Sequence, residues 1–272
     1  MARASRLSQA RDLPTRLRGV VIDMTAAKDF SLRTINRVVD SLGLQEQLGP
    51  DGGPWLRLRS AAAPVEIGNA RVFHGERLDQ MVTISLTVPQ LGLDSHLIFA
   101  FAPASGAIPH FTLDAVAMGG GFAFHLDLVP RVDLAAHRAM LDQVFHPLTA
   151  AYESGCALAG LSPAHLSPRQ RALMSPWMLA FRATPEAFSQ IAAKSDAYLD
   201  HWLQLLASGL PATAQAELAA VTAAQLATRD ARLRASLFDP EIDPVWPQVT
   251  RMIGSAASAD LRRLLREPRA PR

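Results

Sequence analysis

Hydrophobic and polar residues follow two rhythms along this chain. Over residues 29–48 apolar positions recur at helical spacing (Ile35, Val38, Val39, Leu42), and the breaker run from Gly49 to Pro54 ends them. This predicts one helix and then a turn. Between residues 55 and 130 the period becomes two. Val82, Ile84, Leu86 and Val88 alternate with Thr83, Ser85 and Thr87. HLIFAFAP (96–103), PHFTLDAVAM (109–118) and FAFHLDLVP (122–130) follow, the last two separated by Gly119, Gly120 and Gly121. Short runs on tight turns predict an antiparallel meander spanning about 65–130. The near-continuous apolar character of its last three runs predicts helices on both faces. Beyond Pro130 the pattern is helical, over 133–152 with Asp133 as N-cap, then 186–206, 212–238 and 246–265. The Pro/Ser-rich stretch 161–170 reads as a loop, and 239–244 as a break. Strands in one block and helices in the next indicate an α+β fold. No shift of composition marks a boundary, so one domain is expected over 1–272, with 1–25 as a flexible N-terminal arm.

Composition narrows the classes. Of 272 residues 49% are hydrophobic and 19% charged, which suits a chain with a substantial core and excludes a disordered one. A net charge of +2 gives no nucleic-acid footprint. Only Lys28 and Lys194 among 27 basic residues are lysines, an arginine bias that reads as coding preference. The single cysteine, Cys156, excludes an internal disulfide and any cysteine-ligated zinc or iron–sulfur centre. No stretch approaches ~18 apolar residues, so no membrane span is expected. The Arg- and Ser-rich start, MARASRLSQARDLPTRLRG, is like an organelle transit peptide, but the whole chain shares that bias. A cytoplasmic location is therefore expected, with organelle targeting as the alternative.

Familiar catalytic motifs are absent: there is no GxGxxG, phosphate loop, HExxH or GxSxG. The glycine triplet between two strands is a hairpin turn. Chemistry resides inside the strands. Period two places His110, Thr112, Asp114 and Val116 on one face of their strand, and His125, Asp127 and Val129 on one face of the next. An aspartate in a sheet covered on both sides is disfavoured and must be paired, neutralised or functional. His125 and Asp127 could simply satisfy one another. The other histidines outside the strands read as surface residues, and no spacing supports a metal site.

The run 107–145 resembles the central strands of plant red chlorophyll catabolite reductases, members of the wider ferredoxin-dependent bilin reductases. The resemblance rests on Pro109-His110-Phe111 with Asp114 three positions on, and on Asp127-Leu128-Val129-Pro130-Arg131-Val132-Asp133-Leu134. LSPRQRALMSPWMLAFR (166–182) is similar to the family's Ser-Pro segment ending in Arg, and 229–254 to its C-terminal stretch with an acidic loop before the last helix. Similarity extends over about 55–265. Asp114 departs from the Glu usual in the plant enzymes and matches the bilin reductases.

This resemblance implies a three-layer α/β/α sandwich with a central antiparallel sheet, and a bilin pocket between sheet and C-terminal helices. It implies reduction of a linear tetrapyrrole by single electrons from ferredoxin as external donor, with no tightly bound cofactor or metal and with protons from acidic side chains. Asp114 and Asp243 are the expected acids, Glu241 and Asp239 competing with Asp243. His96 is the expected partner of Asp114, with His110 as the fallback. His110, Asp127, Arg131, Arg182 and Glu241 are expected to bind substrate, and Arg131, Arg169, Arg171 and Arg182 to meet acidic ferredoxin or the substrate carboxylates. A non-catalytic bilin carrier on the same fold is the alternative.

Overall fold

The structure, a computed structural model, describes residues 25–267. The expected N-terminal arm lies outside the described residues, except for Thr25, which opens the first helix. Nine strands form a single antiparallel sheet: β1 (Gln45–Gln47), β2 (Leu56–Arg59), β3 (Glu66–His74), β4 (Gln80–Val88), β5 (Leu93–Phe101), β6 (His110–Met118), β7 (Gly121–Val129), β8 (Leu161–Pro163) and β9 (Leu179–Ala183). Their spatial order is β1-β3-β4-β5-β6-β7-β9-β8, with β2 also paired to β3. The helices are α1 (Thr25–Leu42), α2 (Arg138–Met140), α3 (Thr149–Cys156), α4 (Pro168–Arg171), α5 (Pro185–Ser208), α6 (Ala212–Glu217), α7 (Ala223–Leu237), α8 (Val245–Ile253) and α9 (Ser255–Arg266). The fold is the α+β sandwich expected, and none of the described helices is long and apolar enough to cross a membrane.

The meander sits where the alternation predicts it. Its sharpest constraint is the β6–β7 hairpin, in which Met118 pairs with Gly121 across Gly119 and Gly120. Both turn residues have positive φ, 59° and 93°. That is the backbone a two-residue hairpin needs, and glycine adopts it without strain.

One face of the sheet is apolar throughout its centre. Ile98, Ala100, Phe111, Leu113, Ala115, Phe122, Phe124, Leu126 and Leu128 pack there beneath α1 and α5. The other face carries Leu58, Ala70, Val82, Ile84, Leu86 and Phe101 at the β2–β5 side, covered by Phe238, Trp246, Val249, Ile253, Leu261 and Leu265 from the C-terminal helices. Towards β6 and β7 that second face turns polar.

The helical block is more broken than the sequence predicts. The expected helix 133–152 is a short α2, a π turn over Leu141–Phe145, a 3-10 turn over His146–Leu148 and then α3. Pro147 lacks the N–H that a continuous helix needs. Asp133 does not cap it; its carboxylate accepts from Ala135 N in a local turn, and Glu217 takes the N–H groups of Arg138 and Ala139 at 3.0 and 2.8 Å. The expected helix 212–238 divides into α6 and α7, with Thr222 and Gln225 forming a capping box. The expected helix 246–265 divides into α8 and α9 at Gly254, φ 84°. Two strands, β8 and β9, arise in a region where no strand is predicted.

A buried ionic cluster ties the C-terminal helices to the sheet. Asp230 of α7 accepts from His110 Nε2 at 2.6 Å and faces Arg131 Nε at 3.0 Å. Arg234, one turn on, bonds Asp79 at 3.1 Å and the carbonyls of Leu265 and Glu267 at 3.0 and 3.1 Å. Its guanidinium lies 3.9 Å from the Phe101 ring centroid. His110 Nδ1 accepts from Ala102 N, so the ring is neutral with its proton on Nε2. Burial, aided by the Arg131 charge, depresses its pKa to about 4. Burial pushes the Asp230 carboxyl up, but His110 and the two guanidiniums prevail and hold it low. Asp230→Ala would leave two guanidiniums buried without their shared counter-charge. A loss of about 3–5 kcal/mol is expected, measured by urea unfolding. A change below ~1 kcal/mol would remove Asp230 as the joint of the helical layer.

Candidate functional site

The polar patch on the second face is built by strand register. Asp114 pairs directly with His125 across the β6–β7 hairpin, and Thr112 with Asp127. All four side chains point to the side of the C-terminal helices, because residues two apart on a strand share a face. Asp114 Oδ2 stands 3.6 Å from His125 Nδ1. Both side chains are half-buried, and Asp114 Oδ1, His125 Nε2 and Thr112 Oγ1 are buried atoms without a hydrogen-bond partner.

Asp243 enters from the opposite layer, in the loop between α7 and α8. Its Oδ1 accepts from Val245 N at 3.1 Å and Gln170 Nε2 at 3.4 Å. Burial pushes this carboxyl up against the Val245 N–H, and the negative charge of Asp114 adds to the rise. Arg169 fixes the same loop by donating to the Glu241 carbonyl at 3.1 Å. Gln170 and Arg169 both belong to α4, whose capping box joins Ser167 and Gln170. The Ser-Pro segment thus holds the acidic loop over the sheet.

Burial opposes protonation of His125. Asp114, Asp127 and Asp243 together outweigh it, and the imidazole pKa is raised. Asp127 is fully buried, and its carboxylate accepts from Ser175 N at 2.9 Å and from the Ser175 hydroxyl. Burial pushes it up to about 6, against His125 and the Ser175 donors. The arrangement offers one half-exposed acid on the sheet, a second from the helical side, and an imidazole inclined to carry a proton.

Several expected positions fall elsewhere. The pairing of His96 with Asp114 does not form, because Leu97 is the residue opposite Asp114 and His96 lies on the other face. There it meets Asp94 at 3.0 Å. His110 shares the Asp114 face but is committed to Asp230. Arg131 is 2% exposed and donates to the carbonyls of Pro103 and Ala104 at 2.8 and 2.7 Å. Its guanidinium is therefore turned inward, with Asp230 and these carbonyls as its partners. Asp127 and His125 do not satisfy one another; Ser175 takes Asp127. Arg182 is exposed on β9 opposite Ala123. The Glu241 side chain is exposed. Among the described residues no group of three or more His, Cys, Asp or Glu side chains is placed to hold a metal ion. A groove of about 590 Å³ is lined by α7 and Leu173, with Arg229 and Arg232 in its wall, and none of these residues belongs to the cluster.

No family model and no curated protein matches the chain. Among solved structures it is similar to phytochromobilin synthase from tomato, determined as the selenomethionine protein in complex with biliverdin. The TM-score is 0.68 at 16% sequence identity, covering 88% of this chain and 82% of the other. That likeness is one of fold.

The raised Asp127 pKa has a signed consequence. In the unfolded chain this carboxyl ionises near 3.8, in the fold near 6. The folded state binds the proton more tightly in that window, so stability from this group is lost as pH rises through it, by about 3 kcal/mol at most. Asp127→Asn does not titrate. Its stability relative to the unsubstituted protein should improve between about pH 4 and pH 7. Denaturant unfolding at both pH values checks this, and a relative stability independent of pH would refute it.

Proposed function

We propose that this protein reduces a linear tetrapyrrole, taking single electrons from ferredoxin and protons from Asp114 and Asp243. The observation that carries the reading is the convergence of these two carboxylates. One comes from a central strand and one from the C-terminal layer, on the sheet face where the resemblance places a bilin. The shared fold with a biliverdin-bound protein supports it.

The chemistry fits the residues. Adding one electron to a conjugated tetrapyrrole creates a basic radical anion, and a proton must follow at a chosen carbon. Two electrons and two protons together saturate one double bond. An acid held partly out of water keeps its proton until that base forms, and Asp243, pushed up by burial, is such a group. Asp114 approaches from the other side, so protons can reach two faces or two positions of one substrate. A bilin or a red chlorophyll catabolite-like molecule is the substrate class. Docking of acidic ferredoxin falls to exposed arginines, Arg171 and Arg182, since Arg131 is committed inside. Turnover that ignores added salt would exclude that electrostatic docking.

The central test is Asp114→Asn. Biliverdin added to the protein should shift its visible spectrum in both forms. With reduced ferredoxin under anaerobic conditions the variant should lose about 10²–10⁴-fold in rate. A radical detectable by electron paramagnetic resonance should accumulate. Normal turnover per folded molecule would defeat the assignment. Bilin binding without reduction in the unsubstituted protein would favour a carrier.

A further inference from the structure

We infer that His125 is the proton store that reloads Asp114, and that the sealed carboxylate of Asp127 holds it in the charged form. The inference rests on the reductase reading and extends it to two residues that need not touch substrate.

The geometry is a two-by-two patch. His125 and Asp127 are neighbours on one face of β7, and Asp114 and Thr112 are their cross-strand partners on β6. Such facing pairs have Cβ atoms about 4.5–5.5 Å apart. Exposure falls inward along the patch: the Asp114 side chain is 28% exposed, His125 17%, and Asp127 0%. Asp127 is therefore sealed from solvent, and its carboxylate is held by Ser175 N and the Ser175 hydroxyl. His125 keeps one ring nitrogen, Nδ1, towards Asp114 at 3.6 Å, while Nε2 and the Thr112 hydroxyl are buried without partners. Buried polar atoms left unpaired are costly and call for an account.

Every titratable group acting on His125 is a carboxylate: Asp114 from β6, Asp127 from its own strand and Asp243 from the loop before α8. On the remaining side β9 presents Ala180. Tyr198 of α5, within reach of the Asp127 charge, keeps its proton because burial pushes its hydroxyl up, and it donates to the Trp177 carbonyl. No cation stands among them, and Asp127, the one that gives no proton to substrate, is the counter-charge that lasts through the reaction.

The step balances simply. Asp114 gives its O–H proton to the substrate carbon once the electron from ferredoxin has arrived, and is left as a carboxylate. The Nδ1–H proton of His125 passes to Asp114 Oδ2. The imidazole becomes neutral, and takes a proton from solvent after product leaves. Asp127 neither gains nor loses a proton; it is a positioning residue acting through His125. A bound tetrapyrrole covers Asp114 from water, so a reload from within the sheet restores the Asp114 proton while the site is still closed to solvent.

The test joins two measurements on the full chain. The first is an NMR titration of the His125 ring without ligand, assigned by its loss in His125→Gln. Its midpoint should lie above the ordinary imidazole value of about 6.5. It should fall by about one unit in Asp127→Asn, where Ser175 still has an acceptor. The second is the pH profile of biliverdin reduction with reduced ferredoxin. A store must be protonated to act, so turnover declines as pH rises through the His125 midpoint. In Asp127→Asn that alkaline limb should move to lower pH by the same amount. A structural role for Asp127 would lower the melting temperature and leave the limb in place. An unmoved limb or an unmoved midpoint in folded variant overturns the inference while the reductase reading stands. No reduction of biliverdin or a chlorophyll catabolite at any pH overturns that reading, and the reloading role with it. Should Asp127→Asn fail to fold, a midpoint below the ordinary value in the unsubstituted protein is enough to reject the store.

Discussion

Everything on the functional face depends on one buried carboxylate. Asp230 faces an imidazole and a guanidinium from the sheet side and stands 3.9 Å from the Arg234 guanidinium of its own helix. Taking such charges out of water is expensive, and a buried ion pair gives little net stability compared with apolar packing. What the cluster supplies is position. It joins residues 120 apart in sequence and fixes where α7 crosses the end of β6. Through Arg234 the same cluster also holds the end of α9. The loop that follows α7 carries Asp243, whose carboxyl feels the charge of Asp114.

The two faces of the sheet show why the site lies where it does. Under α1 and α5 the central strands present apolar rows, and the one described acid on that face, Asp94 near the end of β5, is taken by His96 and Thr87. On the other face the C-terminal helices cover the β2–β5 side with apolar side chains, but the acids of β6 and β7 are met by the α4 segment and the chain around it. Irregular chain has unused backbone N–H groups. Ser175 N is such a group, and Val245 N, the first N–H of α8, has no partner within its own helix; each is spent on an aspartate. The acids are thus held by N–H groups that regular structure leaves unpaired. Asp127 and Asp114 differ only in how far that cover reaches.

Much of this was legible in the residues. The alternation from Val82 to Val88 predicts β4, and the glycine triplet predicts the hairpin. Aspartate on a covered strand predicts a polar site on that face. The partner of Asp114 was legible too: four residues back from Met118 is Asp114, and four on from Gly121 is His125. The assignment of His96 fails because strand register across the longer β5–β6 connection is not written locally, and an error of one residue changes face. The sequence reading gives Arg131 to substrate or ferredoxin because nothing in its neighbourhood announces Asp230, about a hundred residues away. The break between α6 and α7 carries no Gly or Pro; its sign is the Thr222…Gln225 capping box. β8 and β9 were missed because a Pro/Ser-rich neighbourhood masks the short alternation of Leu179, Phe181 and Ala183.

The two-glycine hairpin has a consequence for descent. Since side chains alternate, the pairing of acid and imidazole is a matter of parity counted from Gly119 and Gly120. Point changes along either strand leave that count intact, so a lineage can replace most of the hairpin and still inherit the pair. One inserted or deleted residue between Asp114 and the turn, or between the turn and His125, reverses it and drives a charge into the apolar layer beneath α1 and α5. Divergence in this protein is therefore free in composition and strict in spelling length, and its relatives are better sought by that spacing than by identity.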